Sequence, residues 1–260
     1  MTTILQISDL HLMSKPTGTL KAVPTAKSFE MVLKRARDEV PNPQRVVLSG
    51  DLSHEHTVAG YQLLSDLLGD WVERCLLIPG NHDDRHGLRS VFEQVPCTAD
   101  DDVLFRDDVG EWQLIGLDSH VTGQVYGKLG DDTLDQLQVW LSENKERPTL
   151  IFVHHPPVPV NSLWIDKIGL RNSDPLESLI RNGKGVRGIF CGHIHQVFEG
   201  RFAGIPFYST PSTAFQFKPK TDEMQFDLQP PGFRVIELQE SEFSTRVVRL
   251  NELPFAPDNE

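Results

Sequence analysis

The sequence predicts an α/β fold with two β-sheets and flanking helices, and two observations lead to this fold class. Strand-like apolar segments alternate with amphipathic helices from the start of the chain, an order typical of parallel sheets with right-handed crossovers. From Gln196 onward the pattern changes to strands broken by turns. The 260 residues are therefore expected to form one domain, 1–260, in which the strands after about residue 196 complete the second sheet.

Three strands and two helices are predicted in the first third of the chain. Apolar residues at helical spacing indicate a helix at 25–39, with Pro41 beyond its end. Short apolar runs indicate the strands, and Pro79 and Gly80 end the third of them. The predicted strands lie at 3–7, 45–49 and 75–78, and the second helix carries Tyr61, Leu64, Leu67 and Leu68.

The remaining elements follow from the same two periodicities. Asp174 and Pro175 are interpreted as the N-cap and first residue of a short helix, and the acidic tail after Leu253 is expected to fray. The predicted helices lie at 85–92, from 131 to about 144 and at 174–182, and the predicted strands at 103–105, 112–117, 149–153, 188–191, 197–202, 205–209, 233–238 and 243–250.

Composition and charge exclude several classes of function. The formal net charge of −12 disfavours nucleic acid as a partner, since that binding depends on Lys and Arg neutralising phosphates. No segment approaches the roughly 20 apolar residues of a membrane span, and the first residues read as a strand rather than a signal peptide. Three widely spaced cysteines predict reduced thiols in a cytoplasm. The expected partner is a small molecule, with a homodimer left open.

A polar tetrad, Gly80-Asn81-His82-Asp83, directly follows the third strand. Such a loop is usually a turn with a side-chain cap. Four more motifs give it weight, because each also follows a predicted strand and strand ends in α/β folds are where sites form. The five motifs are Asp9-x-His11, Gly50-Asp51, Gly80-Asn81-His82-Asp83, His154-His155 and Gly192-His193-x-His195.

The residue types in these motifs predict a metal centre. Carboxylates, imidazoles and an amide suit Fe, Mn, Co or Zn, and they are too numerous for one ion. A pair of ions sharing a carboxylate would use them all, and Asp51 is predicted to be the shared ligand because its motif lies between the two groups. Two such ions can hold a hydroxide and clamp a phosphoryl group. His82 is predicted to be a catalytic group beside the phosphate rather than a ligand.

In this order the five motifs resemble the calcineurin-like metallophosphoesterases over nearly the whole chain. The resemblance implies a four-layer α/β/β/α sandwich with a binuclear centre at the strand ends. It also implies two sets of ligands and a hydrolysis by metal-bound hydroxide. Asp9, His11, Asp51 and His195 would bind one ion, and Asp51, Asn81, His154 and His193 the other, while His11, Asp51, Asn81, His82 and His195 would face the substrate.

Other segments resemble the bacterial class III 3′,5′-cyclic AMP phosphodiesterases: Ser162-Leu163-Trp164-Ile165-Asp166, the Leu170-Arg171-Asn172 segment, the run 210–219 and Pro231-Gly232-Phe233-Arg234. The resemblance implies hydrolysis of cyclic AMP to 5′-AMP. Arg171, Asn172, Phe215 and Phe217 then become candidates for contacts with phosphate, ribose or base, although one of the two phenylalanines is equally suited to the core.

Several residues have a simpler interpretation. Neighbours on an extended chain face opposite sides, so one of His154 and His155 is expected not to be a ligand. The family resemblance implies that His154 is the ligand. Asp83 is interpreted as a loop-capping group. His54, His56, His86 and His120 are interpreted as surface histidines.

Three alternative functions stay open from the sequence. A broader phosphodiesterase, acting on glycerophosphodiesters or 2′,3′-cyclic nucleotides, would need the same metal motifs. A metal-binding scaffold without catalysis is a second alternative. A nuclease of the same superfamily is a third, disfavoured by the absence of a basic run.

Overall fold

The computed structural model describes residues 2–143 and 145–258. In these ranges the helices are α1 (Thr25–Glu39), α2 (Val58–Leu68), α3 (Arg85–Val91), α4 (Asp131–Glu143), α5 (Leu163–Asp166) and α6 (Ser173–Asn182), with a 3₁₀ helix at Gly69–Arg74. The strands are β1 (Thr2–Ile7), β2 (Thr19–Leu20), β3 (Val23–Pro24), β4 (Arg45–Ser49), β5 (Cys75–Ile78), β6 (Phe105–Val109), β7 (Trp112–Leu117), β8 (Thr149–Val153), β9 (Val186–Cys191), β10 (Glu199–Phe202), β11 (Ile205–Ser209), β12 (Gln216–Phe217), β13 (Phe226–Asp227), β14 (Gly232–Leu238) and β15 (Phe243–Arg249).

The first sheet has five strands in the order β15-β14-β1-β4-β5. β1, β4 and β5 are parallel, and β14 and β15 add two antiparallel strands on the other side of β1. Helices α1 and α2 cover its outer face, where buried residues such as Phe29, Leu64 and Leu77 form one apolar core. The parallel strands therefore end together at one edge of the sheet.

The second sheet has six strands in the order β10-β11-β9-β8-β7-β6. Its four central strands are parallel, and β6 and β10 are antiparallel edge strands. Leu137 of α4 and Leu176 and Ile180 of α6 pack on its outer face in a second apolar core. Of the strands after residue 196, β10 and β11 thus complete this second sheet, whereas β14 and β15 join the first.

The two sheets pack face to face. Ile4, Val47 and Ile78 of the first sheet form a common buried cluster with Phe152 and Phe190 of the second. Helix, sheet, sheet and helix are therefore stacked in four layers, and the predicted α/β/β/α sandwich is confirmed.

Most predicted elements coincide with the observed ones, and several predictions were wrong. The strands after residue 196 do not all complete the second sheet, because β14 and β15 pair beside β1 in the first sheet and β12 and β13 form a separate two-stranded sheet. Helix α6 begins at Ser173, after Asn172, so Asp174 lies in its first turn instead of capping it. Pro175 permits this start because the first N–H groups of a helix have no partner within it. Strand β6 spans Phe105–Val109 instead of the predicted 103–105, because the Val103 N–H donates to the Asp118 carboxylate and the strand begins later. The predicted end of α4 at Asn144 lies outside the described residues.

Candidate metal centre

Two loops that carry predicted ligands run side by side. Residues 9–12 follow β1 and residues 50–54 follow β4, and backbone hydrogen bonds join them. The N–H of Asp9 donates to Gly50 O at 3.0 Å, and the N–H of His11 donates to Asp51 O at 2.8 Å. The two motifs are therefore held in a fixed register before any ion binds.

Five of the seven predicted ligands have a left-handed backbone. A positive φ is uncommon outside glycine, and such strain persists where the surroundings enforce it, often at functional sites. The φ values are 55° for Asp9, 48° for His11, 52° for Asp51, 69° for His193 and 46° for His195.

Asp9, His11, Asp51 and His195 form one buried group, whose ligand atoms all lie within 4.8 Å of one another. The Nε2 atoms of His11 and His195 are 3.0 Å apart. Asp51 Oδ2 lies 3.7 Å from His11 Nε2, and Asp9 Oδ1 lies 3.4 Å from His195 Nε2. Nδ1 of His195 donates to the Phe215 carbonyl at 2.9 Å, which leaves the Nε2 lone pair facing the group.

A second group adjoins the first through Asp51. His154 donates from Nδ1 to the Ser49 carbonyl at 2.8 Å, and its Nε2 lies 3.5 Å from Asp51 Oδ1. His193 Nδ1 lies 3.0 Å from Asn81 Oδ1. Asp51 thus has one carboxylate oxygen directed at each group.

His155 lies beside His154 and His193 of the second group, but both of its ring nitrogens are engaged. Ser119 Oγ lies 2.8 Å from Nδ1, and Nε2 donates to the Val125 carbonyl at 3.1 Å. Its side chain therefore has no lone pair left for an ion, although the ring lies 4.5 Å from that of His193.

The residues present fit a cation centre. Within the described residues, the buried Nε2 atoms of His154 and His193 have no hydrogen-bond partner, a costly arrangement unless something else binds there. Two glycines also let the backbone pass close to the side chains around this centre. A Cβ on Gly80 would collide with Asp51 Oδ1, and a Cβ on Gly192 would collide with Ser8 Oγ.

The electrostatics of the centre favour positive charge. Burial raises the pKa of Asp51, but His154 and then His82 outweigh it and hold that pKa well below its usual range. Burial holds the pKa of His11 well below 6.5, so this ring is neutral and can donate a lone pair. Burial lowers the pKa of His154, but Asp51 outweighs it and raises that pKa to about 9. A cation at this position would replace the His154 proton.

Asp83 fixes the loops instead of facing the centre. Its buried carboxylate accepts hydrogen bonds from the N–H groups of Leu52, Ser53 and Gly80 and from the Tyr61 hydroxyl, at 2.8 to 3.1 Å. It therefore ties the loop after β4 to the loop after β5.

His82 lies at the floor of a cavity beside both groups. Its N–H donates to Asp51 Oδ1 at 2.9 Å, and its ring packs edge-on against His11 at 5.0 Å between centroids. His54, interpreted above as a surface histidine, also lines this cavity and stacks on His82 at 4.6 Å. That interpretation was wrong for His54, because the pairing of the two loops turns it inward. It was also wrong for His120, whose side chain is buried.

The cavity has a volume of about 250 Å³, with a polar floor and a mostly apolar wall. Phe215 and Phe217 belong to the wall, and Phe217 stacks on His195 at 4.5 Å. Sequence reasoning missed much of the wall, which comes from the hairpins β2–β3 and β12–β13, from α5 and the turn after it, and from the loop before α4. The additional wall residues are Leu20, Lys21, Val125, Trp164, Ile168, Met224 and Phe226.

Arg171 and Asn172 do not line this cavity. The amide of Asn172 bonds to both the N–H and the carbonyl of Leu129, at 2.9 Å each. The Arg171 guanidinium lies 3.6 Å from the centre of the Tyr126 ring. Both side chains thus organise the segment beside the site, and neither is placed next to the predicted ligands.

The chain belongs to the calcineurin-like phosphoesterase family, whose model matches residues 2–197. It is 36% identical over 98% of its length to the 3′,5′-cyclic adenosine monophosphate phosphodiesterase CpdA of Vibrio vulnificus, and covers 92% of that protein. It is 33% identical to CpdA of Escherichia coli, with the same coverage, and 33% identical to a 3′,5′-cyclic-nucleotide phosphodiesterase of Nostoc, of which it covers 95%.

A solved structure has the same fold. A dimetal phosphatase from Danio rerio superposes with a TM-score of 0.71 at 16% identity, covering 95% of each chain. In residues 2–143 and 145–258, no helix combines the length and the apolar character that crossing a membrane requires.

Proposed function

We propose that this protein hydrolyses 3′,5′-cyclic AMP to 5′-AMP with the help of two metal ions. The observation that carries the proposal is the shared carboxylate of Asp51, which faces two adjoining groups of donors at the floor of an aromatic-walled cavity. The curated relatives at 33–36% identity are named as phosphodiesterases of cyclic nucleotides, which supports the choice of substrate.

The proposed ligands are the seven residues of the two groups. Asp9, His11, Asp51 and His195 would hold one ion, and Asp51, Asn81, His154 and His193 the other. When bound, two such ions supply Lewis acidity to a phosphoryl group and an activated water. Fe, Mn, Co and Zn all accept these donors.

His82 is the proposed catalytic residue of the chain itself. Its ring is half-buried at the cavity floor, and its backbone is held by Asp51. From this position an imidazole can donate a hydrogen bond to a phosphoryl oxygen or a proton to the departing ribose oxygen. Opening the cyclic diester needs only that one P–O bond be replaced by a bond to a water oxygen.

The aromatic wall is the proposed binding site of the nucleobase. Phe217 and Phe226 are roughly parallel, with centroids 6.0 Å apart, and Trp164 meets Phe217 edge-on at 4.8 Å. Aromatic side chains bind bases by stacking. Arg171 and Asn172 remain proposed contacts from family resemblance alone, since neither lines the cavity.

A broader phosphodiesterase is the second candidate. The mostly apolar wall favours it, because stacking accepts any base and the floor would contact only the phosphate. Glycerophosphodiesters and 2′,3′-cyclic nucleotides are the substrates to compare.

The deciding experiment measures kcat/KM for cyclic AMP on protein reconstituted with Mn²⁺, with the product identified by chromatography. Efficient formation of 5′-AMP, preferred over glycerophosphodiesters and 2′,3′-cyclic AMP, supports the proposal. Turnover of another diester in preference to cyclic AMP would refute the proposed substrate but would leave the proposed metal centre supported. Asp51→Asn is the inactive control, and its full activity would refute the centre.

Three further predictions accompany this proposal. We infer a single domain over 1–260, a cytoplasmic location for the three free thiols and a small-molecule substrate as the partner. A homodimer stays an open alternative, which sedimentation would decide.

A further inference from the structure

His54 occupies a position that the proposed ligand set does not use. Its N–H donates to the Leu12 carbonyl at 2.9 Å, so its backbone is fixed to the loop that carries His11. Its half-buried ring lines the cavity. That ring contacts two proposed site residues: His11 through a hydrogen bond and His82 by stacking.

The first contact is with His11. Nδ1 of His54 lies 3.3 Å from Nδ1 of His11, while Nε2 of His11 faces His195 Nε2 at 3.0 Å and Asp51 at 3.7 Å. A neutral imidazole that offers its Nε2 lone pair carries its hydrogen on Nδ1. In that tautomer His11 donates to His54, and His54 accepts.

The second contact is with His82. The rings of His54 and His82 are stacked at 4.6 Å between centroids with an angle of 24°, and His82 is itself edge-on to His11 at 5.0 Å. His54 therefore limits how the proposed catalytic imidazole can turn.

We propose that His54 is a positioning residue that sets the tautomer of His11 through a hydrogen bond and the orientation of His82 through stacking. The proposal rests on the proposed function, because it takes His11 as a ligand and His82 as the catalytic group. A hydrogen-bond partner of this kind orients a ligating histidine and raises its basicity.

Two variants separate the two contacts. His54→Asn keeps an acceptor near the Nδ1 position but removes the stacking ring, and His54→Phe keeps a ring but removes the acceptor. His86→Asn is the matched control, since His86 is exposed on α3 and outside the cavity. Thermal unfolding of each metal-free variant verifies that it folds.

The first measurement is a calorimetric titration of metal-free protein with Mn²⁺. We expect His54→Phe to weaken Mn²⁺ binding by about 10-fold or more, and His54→Asn and His86→Asn to bind like the wild type. Equal affinity in His54→Phe and the wild type would overturn the role assigned to the hydrogen bond, as would equal losses in both His54 variants.

The second measurement is kcat at saturating Mn²⁺ with bis(p-nitrophenyl) phosphate. Here the order reverses: His54→Asn is expected to lose about 10-fold in kcat, whereas His54→Phe retains most of it. Equal kcat values in both variants would overturn the stacking role. Because neither measurement uses cyclic AMP, a wild type that binds Mn²⁺ and cleaves this diester but not cyclic AMP refutes only the proposed substrate.

Discussion

The hydroxyl of Tyr61 on helix α2 donates a hydrogen bond to the buried carboxylate of Asp83 at 3.0 Å. The same oxygen accepts from the N–H of Asp84 at 2.6 Å. Tyr61 therefore links the outer helix layer to the loop that carries Asn81 and His82, through the Asp83 oxygen that Gly80 does not use. The loop of two proposed site residues is thus held by a residue that does not line the cavity.

Tyr61→Phe tests this link. Loss of the hydroxyl removes one of several hydrogen bonds to the Asp83 carboxylate and leaves the Asp84 N–H without its partner, which is expected to cost about 1–3 kcal/mol of unfolding free energy. Urea unfolding of the metal-free wild type and variant measures this loss of unfolding free energy. Tyr126→Phe, outside the site, is the control, and equal stabilities of the two variants would contradict the link.

Gly192→Ala is expected to abolish metal binding at the Asp9 side of the centre. The added Cβ would collide with Ser8 Oγ and lie 2.8 Å from Asp9 Oδ2. The loops of Asp9 and Gly192 cannot separate without breaking the hydrogen bonds from the His193 N–H to the Asp9 carboxylate. Metal content after reconstitution with Mn²⁺ is the measurement.

Gly123→Ala is the control for that substitution. Gly123 has φ +73° and open space around it, so alanine there adds backbone strain of about 1–2 kcal/mol without a collision. Normal metal content in Gly192→Ala would show that the loops can move apart.

Phe226→Ala tests the aromatic wall. Phe226 contacts Phe215 and Phe217 and lines the cavity away from the proposed ligands. If the base stacks there, kcat/KM for cyclic AMP falls by roughly 5- to 150-fold, while kcat/KM for bis(p-nitrophenyl) phosphate changes little. Leu228→Ala, exposed just beyond β13, is the control. Equal losses for both substrates would place the base elsewhere.

His120 is expected to make the stability of the metal-free protein depend on pH. Burial, and then the neighbouring Arg85, lower the pKa of His120 from 6.5 to about 4. Between pH 6.5 and about 4, His120 is therefore protonated in the unfolded chain but neutral in the folded chain. The free energy of unfolding consequently falls as the pH drops through that window. We expect His120→Gln to flatten the slope of unfolding free energy against pH, measured with a chelator present.

The control for this slope is His86→Gln, because the His86 side chain is exposed. Asp102 and Asp118 beside Arg85 also have raised pKa values, chiefly from burial. These two carboxyl groups contribute to the slope equally in the wild type, His120→Gln and His86→Gln, so their contribution cancels when the slopes are compared. An unchanged slope in His120→Gln would refute the assignment.

Local periodicity was enough to predict the core elements. Helix α1 and strands β4 and β5 have the predicted bounds, because their apolar residues alone determine which face is buried. The ligand motifs were visible because each follows such a strand. That they converge from two different sheets was implied only by the family resemblance, since nothing in a strand's own residues specifies which sheet it joins.

The features that the sequence did not predict depend on how loops pair with distant segments. His54 lies three residues after Asp51, and only the pairing of its loop with residues 9–12 brings it into the cavity. The tail was expected to fray, yet Phe255 packs against the apolar cluster that contains Phe215, and the Asp258 N–H donates to a carbonyl of the β2–β3 turn. The placement of His54 and that of the tail both depend on contacts with residues distant in sequence.

The proposed ligands come from both sheets of the sandwich. Asp9, Asp51 and Asn81 follow strands of the first sheet, and His154 and His193 follow strands of the second. An ion bound between them would join the sheets at one edge, so its binding free energy would oppose any opening there. Amide hydrogen exchange at that edge should therefore slow on adding Mn²⁺, while exchange at the opposite edge stays the same.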